Sequence, residues 1–178
     1  MPSSFEFIQD DPVLRENIER VFGHIIDLLA LSESEGYDDL AKSSFRKTIV
    51  IHTASIIEAC LLYLLRNRSS EKDFINEQWE LKNVKDLHII SPTHKIVSGD
   101  YKKISEKIDP SKMNLGQIGI FLRNKDLISE ELFQKIDAVR ILRNEQHIGT
   151  NSTLKEYSKA DLEFVFSVAK QTKELFTI

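Results

Sequence analysis

Arg140, Arg143 and His147 are the residues whose types and spacing could do chemistry. At about 100° per residue, Ser129, Leu132, Phe133, Ile136, Val139, Arg140, Arg143 and His147 all fall within about 60° of Ile136 on one helical face. That face begins apolar and continues, unrotated, as two guanidiniums and an imidazole. Unpaired charge in a core costs on the order of several kcal/mol, so this end must meet water, carboxylates or a phosphate ligand. The structural solutions are at hand: basic residues suit the negative end of a helix, which Gly149 would close, and Glu58, Glu131 or Glu145 could pair with the arginines. A phosphate is the functional solution, because a guanidinium fork matches its oxygens. The residues alone leave both open.

The elements that must position this face read as helices. Asp11-Pro12 is an acidic cap with Pro at the first helical position, and Val13, Ile18, Val21, Phe22, Ile25, Leu28 and Leu29 follow as one apolar stripe, broken at 32–36. A second helix over 38–67 is apolar nearly all round, which predicts a central position. Ser44, Thr48, His52 and Ser55 draw one polar line along it, either bonding back to the helix's own carbonyls or facing a wet cleft; the first is favoured. Residues 115–127 hold a short helical stretch with Ile118, Phe121 and Leu122. Ser129-Glu130-Glu131 opens a fourth helix that runs to about His147, and Ser158 with Asp161 opens a last one carrying Leu162, Val165, Phe166, Ala169 and Phe176 inward.

Between these helices, Lys82-Asn83, Ser91-Pro92, Ser98-Gly99-Asp100 and Asp109-Pro110-Ser111 are turn or breaker signals. Leu87 to Ile90 and Lys95 to Val97 predict two short strands of a hairpin joined over 91–94. The expected fold class is thus all-α: one domain over 1–178, a bundle of about five helices, with a small mixed or β-hairpin insert at 68–114.

Composition narrows the function classes. The chain has 178 residues, 41% hydrophobic and 29% charged, with 6 Gly and 4 Pro, the mix of a globular helical chain. The single Cys60 rules out an internal disulfide or a four-Cys zinc cage and suits a reducing cytoplasm, and its apolar helix predicts a buried, inert thiol. The first eleven residues carry three acids and no basic stretch of a secretory signal, and the apolar run 56–65 is short and contains Glu58, so no membrane span is expected. The net charge is −4, unevenly placed: residues 1–41 hold ten acids against two arginines, and residues 81–125 nine bases against four acids. Such a basic middle is more often a solvated face than a phosphate-binding one. His88 and His94 with Asp86 and Asp100 match no metal-ligand spacing, Gly116 to Gly119 is too short for a phosphate-cradling loop, and no cofactor is expected. Trp79, beside Phe74, either packs the insert onto the bundle, the favoured reading, or offers a base-stacking platform.

Arg143-Asn144 followed by His147-Ile148-Gly149 resembles the signature of HEPN domains (higher eukaryotes and prokaryotes nucleotide-binding). The second helix, with Phe45 to His52 followed by Ile56-Ile57-Glu58-Ala59, resembles that family's second helix, whose apolar run carries a Glu near its middle. The likeness covers roughly 11–67 and 115–178 and leaves out the insert. The family pattern is an Arg, a polar residue, then a His after four to six intervening residues. Arg143 has the polar follower and three residues before His147; Arg140 has six, with Ile141 as follower, so either is the motif arginine.

What the resemblance implies is metal-independent RNA cleavage, in which the ribose 2′-OH attacks the adjacent phosphorus. His147 would move protons near neutral pH, an arginine would hold the phosphate, and Asn144 would hold the imidazole or a phosphate oxygen, with Arg140, Glu58 and His52 in support. One His per chain cannot serve as base and acid at once, so a homodimer that pairs two copies of His147 is implied. RNA is the implied substrate, a bacterial defence or toxin–antitoxin system the implied setting, and an antitoxin protein a partner of that setting. Two other readings stand beside it: a HEPN-like module without catalysis that binds RNA or nucleotide or dimerises, and a plain helical scaffold with ion-paired arginines. Whether the arginines stand open or are locked to acids within one chain separates them.

Overall fold

A computed structural model describes residues 5–145 and 155–176. Among the described residues, five α-helices and one two-stranded antiparallel sheet run in the order α1 (Pro12–Glu33), α2 (Asp39–Arg68), β1 (Ile75–Ser91), β2 (His94–Lys107), α3 (Leu115–Asn124), α4 (Glu130–Asn144) and α5 (Lys159–Glu174). Contacts divide the chain into a helical unit, Met1–Asn67 with Met113–Ile178, and a second unit, Arg68–Lys112.

Side-chain caps define the helix starts. The Asp11 carboxylate accepts from Leu14 N at 2.9 Å, Asp38 from Ala41 N at 2.8 Å and the Ser129 hydroxyl from Leu132 N at 3.1 Å. Reciprocal capping boxes open α3, through Asn114 and Gln117, and α5, through Ser158 and Asp161. The starts agree with the sequence expectation to within a residue or two, whereas α3 closes at Asn124 rather than 127, α4 at Asn144 with Glu145 at its C-cap position, and α5 at Glu174, before Phe176.

Within the helical unit α2 is the core element. Ile49, Val50, Ala54, Leu61 and Leu65 have no exposed surface, and Ile57 retains 1%. Each valine, leucine or isoleucine among them contributes about 1.5–3 kcal/mol relative to an exposed one. The 30-residue α2 matches the helix expected over 38–67, and by length and composition it passes as a membrane span, which the short run at 56–65 did not suggest; 56% of its apolar window is buried inside the protein. Burial, rather than shortness, accounts for its hydrophobicity. The polar line resolves as expected: Ser44, Thr48 and Ser55 each donate to the carbonyl four residues back, at 3.0 Å.

The second unit corrects the expected fold class. The protein is mixed α/β rather than all-α, because the insert is a long hairpin of strands of 17 and 14 residues. Its turn, between Ser91 and His94, lies where the sequence placed it. The strands extend much further because the breaker signals at Lys82-Asn83 and Ser98-Gly99-Asp100 face each other across the ladder. Lys82 pairs with Asp100 and Lys85 with Ser98, so Asn83 and Val84 oppose Gly99 alone, a bulge. Asn83 takes a left-handed φ of 53°, and its amide donates to Asp100 at 3.0 Å. Residues that read as ends of structure are a kink inside it.

Both hairpin faces are solvated, which erases the period-two signal of a half-buried strand. Trp79 is 64% exposed, against the expectation that it packs. Lys82 pairs with Glu80, Lys95 with Asp86 and Lys103 with Glu77, so much of the basic character of this stretch is countered in place.

A Cβ at Gly99 would stand 2.7 Å from the Lys82 carbonyl oxygen, closer than side chains tolerate. Gly99→Ala is expected to lower the opening free energy of the hairpin by about 1–3 kcal/mol, read as faster hydrogen exchange at Leu81 and Tyr101 with helix amides unchanged. Unchanged exchange across the hairpin would contradict the close approach.

Candidate functional site

The face of α4 changes character as its periodicity requires. Leu132, Ile136 and Val139 are buried, at 6%, 1% and 0% exposure, and the two arginines that follow are half-buried. Neither arginine is left unpaired. Arg143 Nη1 donates to Glu58 Oε2 at 2.6 Å, joining α4 to α2 across 85 residues of sequence. The side chains of Arg143 and Glu58 retain 21% and 27% of their exposure, so the pair sits at the margin of the core. Arg140 Nε donates to Asp137 Oδ1 at 2.6 Å, one turn back on its own helix, and this bond pushes the guanidinium pKa further up.

Arg140 also owes its position to a glycine. A Cβ at Gly116, in the first turn of α3, would stand 3.1 Å from Arg140 Cδ and 3.3 Å from Nε. Gly116, in a stretch too short to cradle a phosphate, leaves room for the arginine stem.

Asn144, the last residue of α4, is half-buried. His147 and Gly149 lie outside the described residues, and with them the expectation that the imidazole shares the arginine face. His52 does not join the group. Its ring meets His24 of α1 edge-on, with centroids 5.3 Å apart. Six residues, about 600° of rotation, separate it from Glu58 on α2, which turns one toward α1 and the other toward α4. The structure thus brings Glu58 and Arg143 together, keeps Arg140 on their side of α4, and sends His52 elsewhere.

Three residues at this end of the helical unit escaped the sequence reading. Asp137 was an unremarked acid three residues before Arg140, an i,i+3 spacing that could have revealed it. Tyr157, 3% exposed, donates its hydroxyl to the Leu142 carbonyl at 3.1 Å and its backbone N–H to Ser43 Oγ at 2.8 Å. Arg46 reaches the carbonyls of Tyr157 and Ser32, each at 3.5 Å. These contacts tie the residues before α5 to α2 and α4, at sequence separations that no local pattern marks. Lys155 meets Glu145 at 2.7 Å and Asp161 at 3.7 Å.

The described residues contain no grouping of three or more His, Cys, Asp or Glu suited to a metal ion. Asp86 is paired with Lys95, and His94 lies within hydrogen-bond distance of Thr93 Oγ1 at 3.0 Å. Cys60 is buried, and desolvation pushes its thiol up to about 12, as expected of an inert core cysteine.

No protein-family model, no curated protein and no solved structure matches this chain.

Desolvation first, and then the neighbouring His24, lowers the pKa of His52. A histidine whose folded-state pKa is depressed binds its proton less readily than in the unfolded chain. Its contribution is therefore complete above its ordinary value near 6.5 and is lost as pH falls through the lowered one. His52→Gln is expected to flatten the fall in melting temperature on acidification from neutral pH. An identical pH profile in wild type and variant would show that His52 does not titrate with folding.

Proposed function

We propose that the chain is a HEPN-type domain whose α4 face acts on RNA, as a homodimeric, metal-independent endoribonuclease of the cytoplasm in a toxin–antitoxin or phage-defence setting. The observation that supports this most is the meeting of Glu58 and Arg143: the resemblance singles out both, 85 residues apart, and they form one ion pair at 2.6 Å. A guanidinium held by one carboxylate oxygen is positioned in advance, and its fork has more donors than that oxygen can use.

In this reading Arg143, with Arg140 beside it, neutralises the phosphate as negative charge builds on its equatorial oxygens. His147 takes the proton of the 2′-OH, and its copy in the second protomer protonates the departing 5′ oxygen. Asn144 orients one of these groups. The 2′ oxygen forms its bond to phosphorus as the 5′ oxygen leaves, so the products carry a 2′,3′-cyclic phosphate and a 5′-hydroxyl. No metal or other cofactor enters the balance.

One observation favours a second reading, a HEPN-like module that binds RNA or nucleotide, or dimerises, without cutting. Both arginines are already countered within the chain, Arg143 by Glu58 and Arg140 by Asp137. A phosphate would have to share each guanidinium with a carboxylate.

Cleavage of total RNA in EDTA, with wild type, His147→Ala, Arg143→Ala and Arg140→Ala, decides between them. The nuclease reading expects cyclic-phosphate ends and a loss of about 100-fold or more in His147→Ala. The arginine variant that loses activity most identifies the motif arginine. RNA binding without cleavage by the folded protein establishes the second reading. Cleavage unchanged in His147→Ala contradicts the motif reading, and a monomer that neither cleaves RNA nor binds RNA or nucleotide contradicts both and leaves a scaffold with ion-paired arginines.

A further inference from the structure

We propose that the helical unit carries a binding site for an amphiphile, an alkyl or acyl chain with an anionic head, in the cavity bounded by α1, α2 and α5. The cavity measures about 400 Å³, within the range of small-molecule sites. Its wall is overwhelmingly apolar and includes Phe22, Ile26, Ile57 and Phe166. Phe22 and Ile26 remain 38% and 55% exposed on α1, so the apolar stripe of that helix is wider than the core covers.

The polar atoms of the wall describe the head group. Thr172 donates its hydroxyl to the Val168 carbonyl at 2.9 Å and is satisfied. Thr53, 3% exposed and in the same wall, is not: its hydroxyl has no partner among the described residues. Ser44, Thr48 and Ser55 on the same helix all bond back to a carbonyl, so the exception at Thr53 is specific to this position. That oxygen has essentially no exposed surface, so it is shielded from the cavity as well as from water, and the lysines are left to meet the head group. The charged residues of the wall are Lys170 and Lys173, three apart on one face of α5, both exposed and without an ion-pair partner among the described residues. An apolar pocket with two lysines and no acid in its lining selects a chain ending in a carboxylate or similar anion. Cys60 shares the wall, but a thiol pushed up to about 12 does not attack the ligand, so binding is non-covalent.

Isothermal titration of the full chain with laurate, below its micellar concentration, tests this. Saturable one-to-one binding is expected, with methyl NMR shifts at Ile26 and Ile57. Affinity should fall about tenfold or more in the double variant Lys170→Glu, Lys173→Glu. Dodecyltrimethylammonium, with the same chain and opposite charge, should bind at least tenfold more weakly. Absence of laurate binding by the folded protein, equal binding of the cationic chain, or wild-type affinity in the double variant would overturn the proposal. So would a self-association that laurate leaves intact and Ile26→Asp abolishes, since a second copy would then cover the cavity. None of these outcomes depends on the RNA assay.

Discussion

Glu58 stands in the most apolar helix of the protein, and a carboxylate there requires a partner. Arg143 supplies it from α4 at 2.6 Å. The contact answers two requirements together: α2 can carry an ionised group within an otherwise aliphatic stretch, and α4 can continue its buried stripe into a guanidinium. Removing either member would leave the other charge at the margin of the core. Arg140, one turn earlier on the same helix, is met by Asp137 within α4 and lies against the first turn of α3.

A second set of contacts supports the first. Tyr157 bonds to the Leu142 carbonyl and to Ser43, and Arg46 holds the carbonyl of Tyr157, so the approach to α5 is fastened to the same two helices. The apolar walls of α1, α2 and α5 leave a cavity on another side of α2, lined by Ile56, Ile57 and Cys60 rather than Glu58. One central helix therefore serves two separate surfaces, a charged one toward α4 and an apolar one toward α1.

Much of the helical unit was legible because its signals are local. Asp11-Pro12, Ser129 and the Ser158–Asp161 box mark helix starts within a single turn, and the apolar face of α4 follows from counting at 100° per residue. The pairing of Arg143 was legible only as a choice among Glu58, Glu131 and Glu145, since three-dimensional proximity decides between them; Glu131 in fact pairs with Lys135. The hairpin was misjudged in extent. Asn83 and Gly99 have the chemistry of turns, and nothing in one strand alone says that they face each other as a bulge. Solvation of both faces removed the alternation that would have extended the strands. His52 lay on a polar line with the hydroxyls of α2, yet its partner proved to be a histidine of α1.

The measurement that bears most directly on this account is a double-mutant cycle on Glu58→Gln and Arg143→Gln, read as unfolding free energy. A pair that anchors α4 to α2 predicts a coupling of about 1–3 kcal/mol, with each single variant less stable than wild type and the double variant recovering part of the loss. Single-variant effects that add to within about 0.5 kcal/mol would mean that the two residues do not depend on each other. The positioned arginine on which the functional reading rests would then be lost with them.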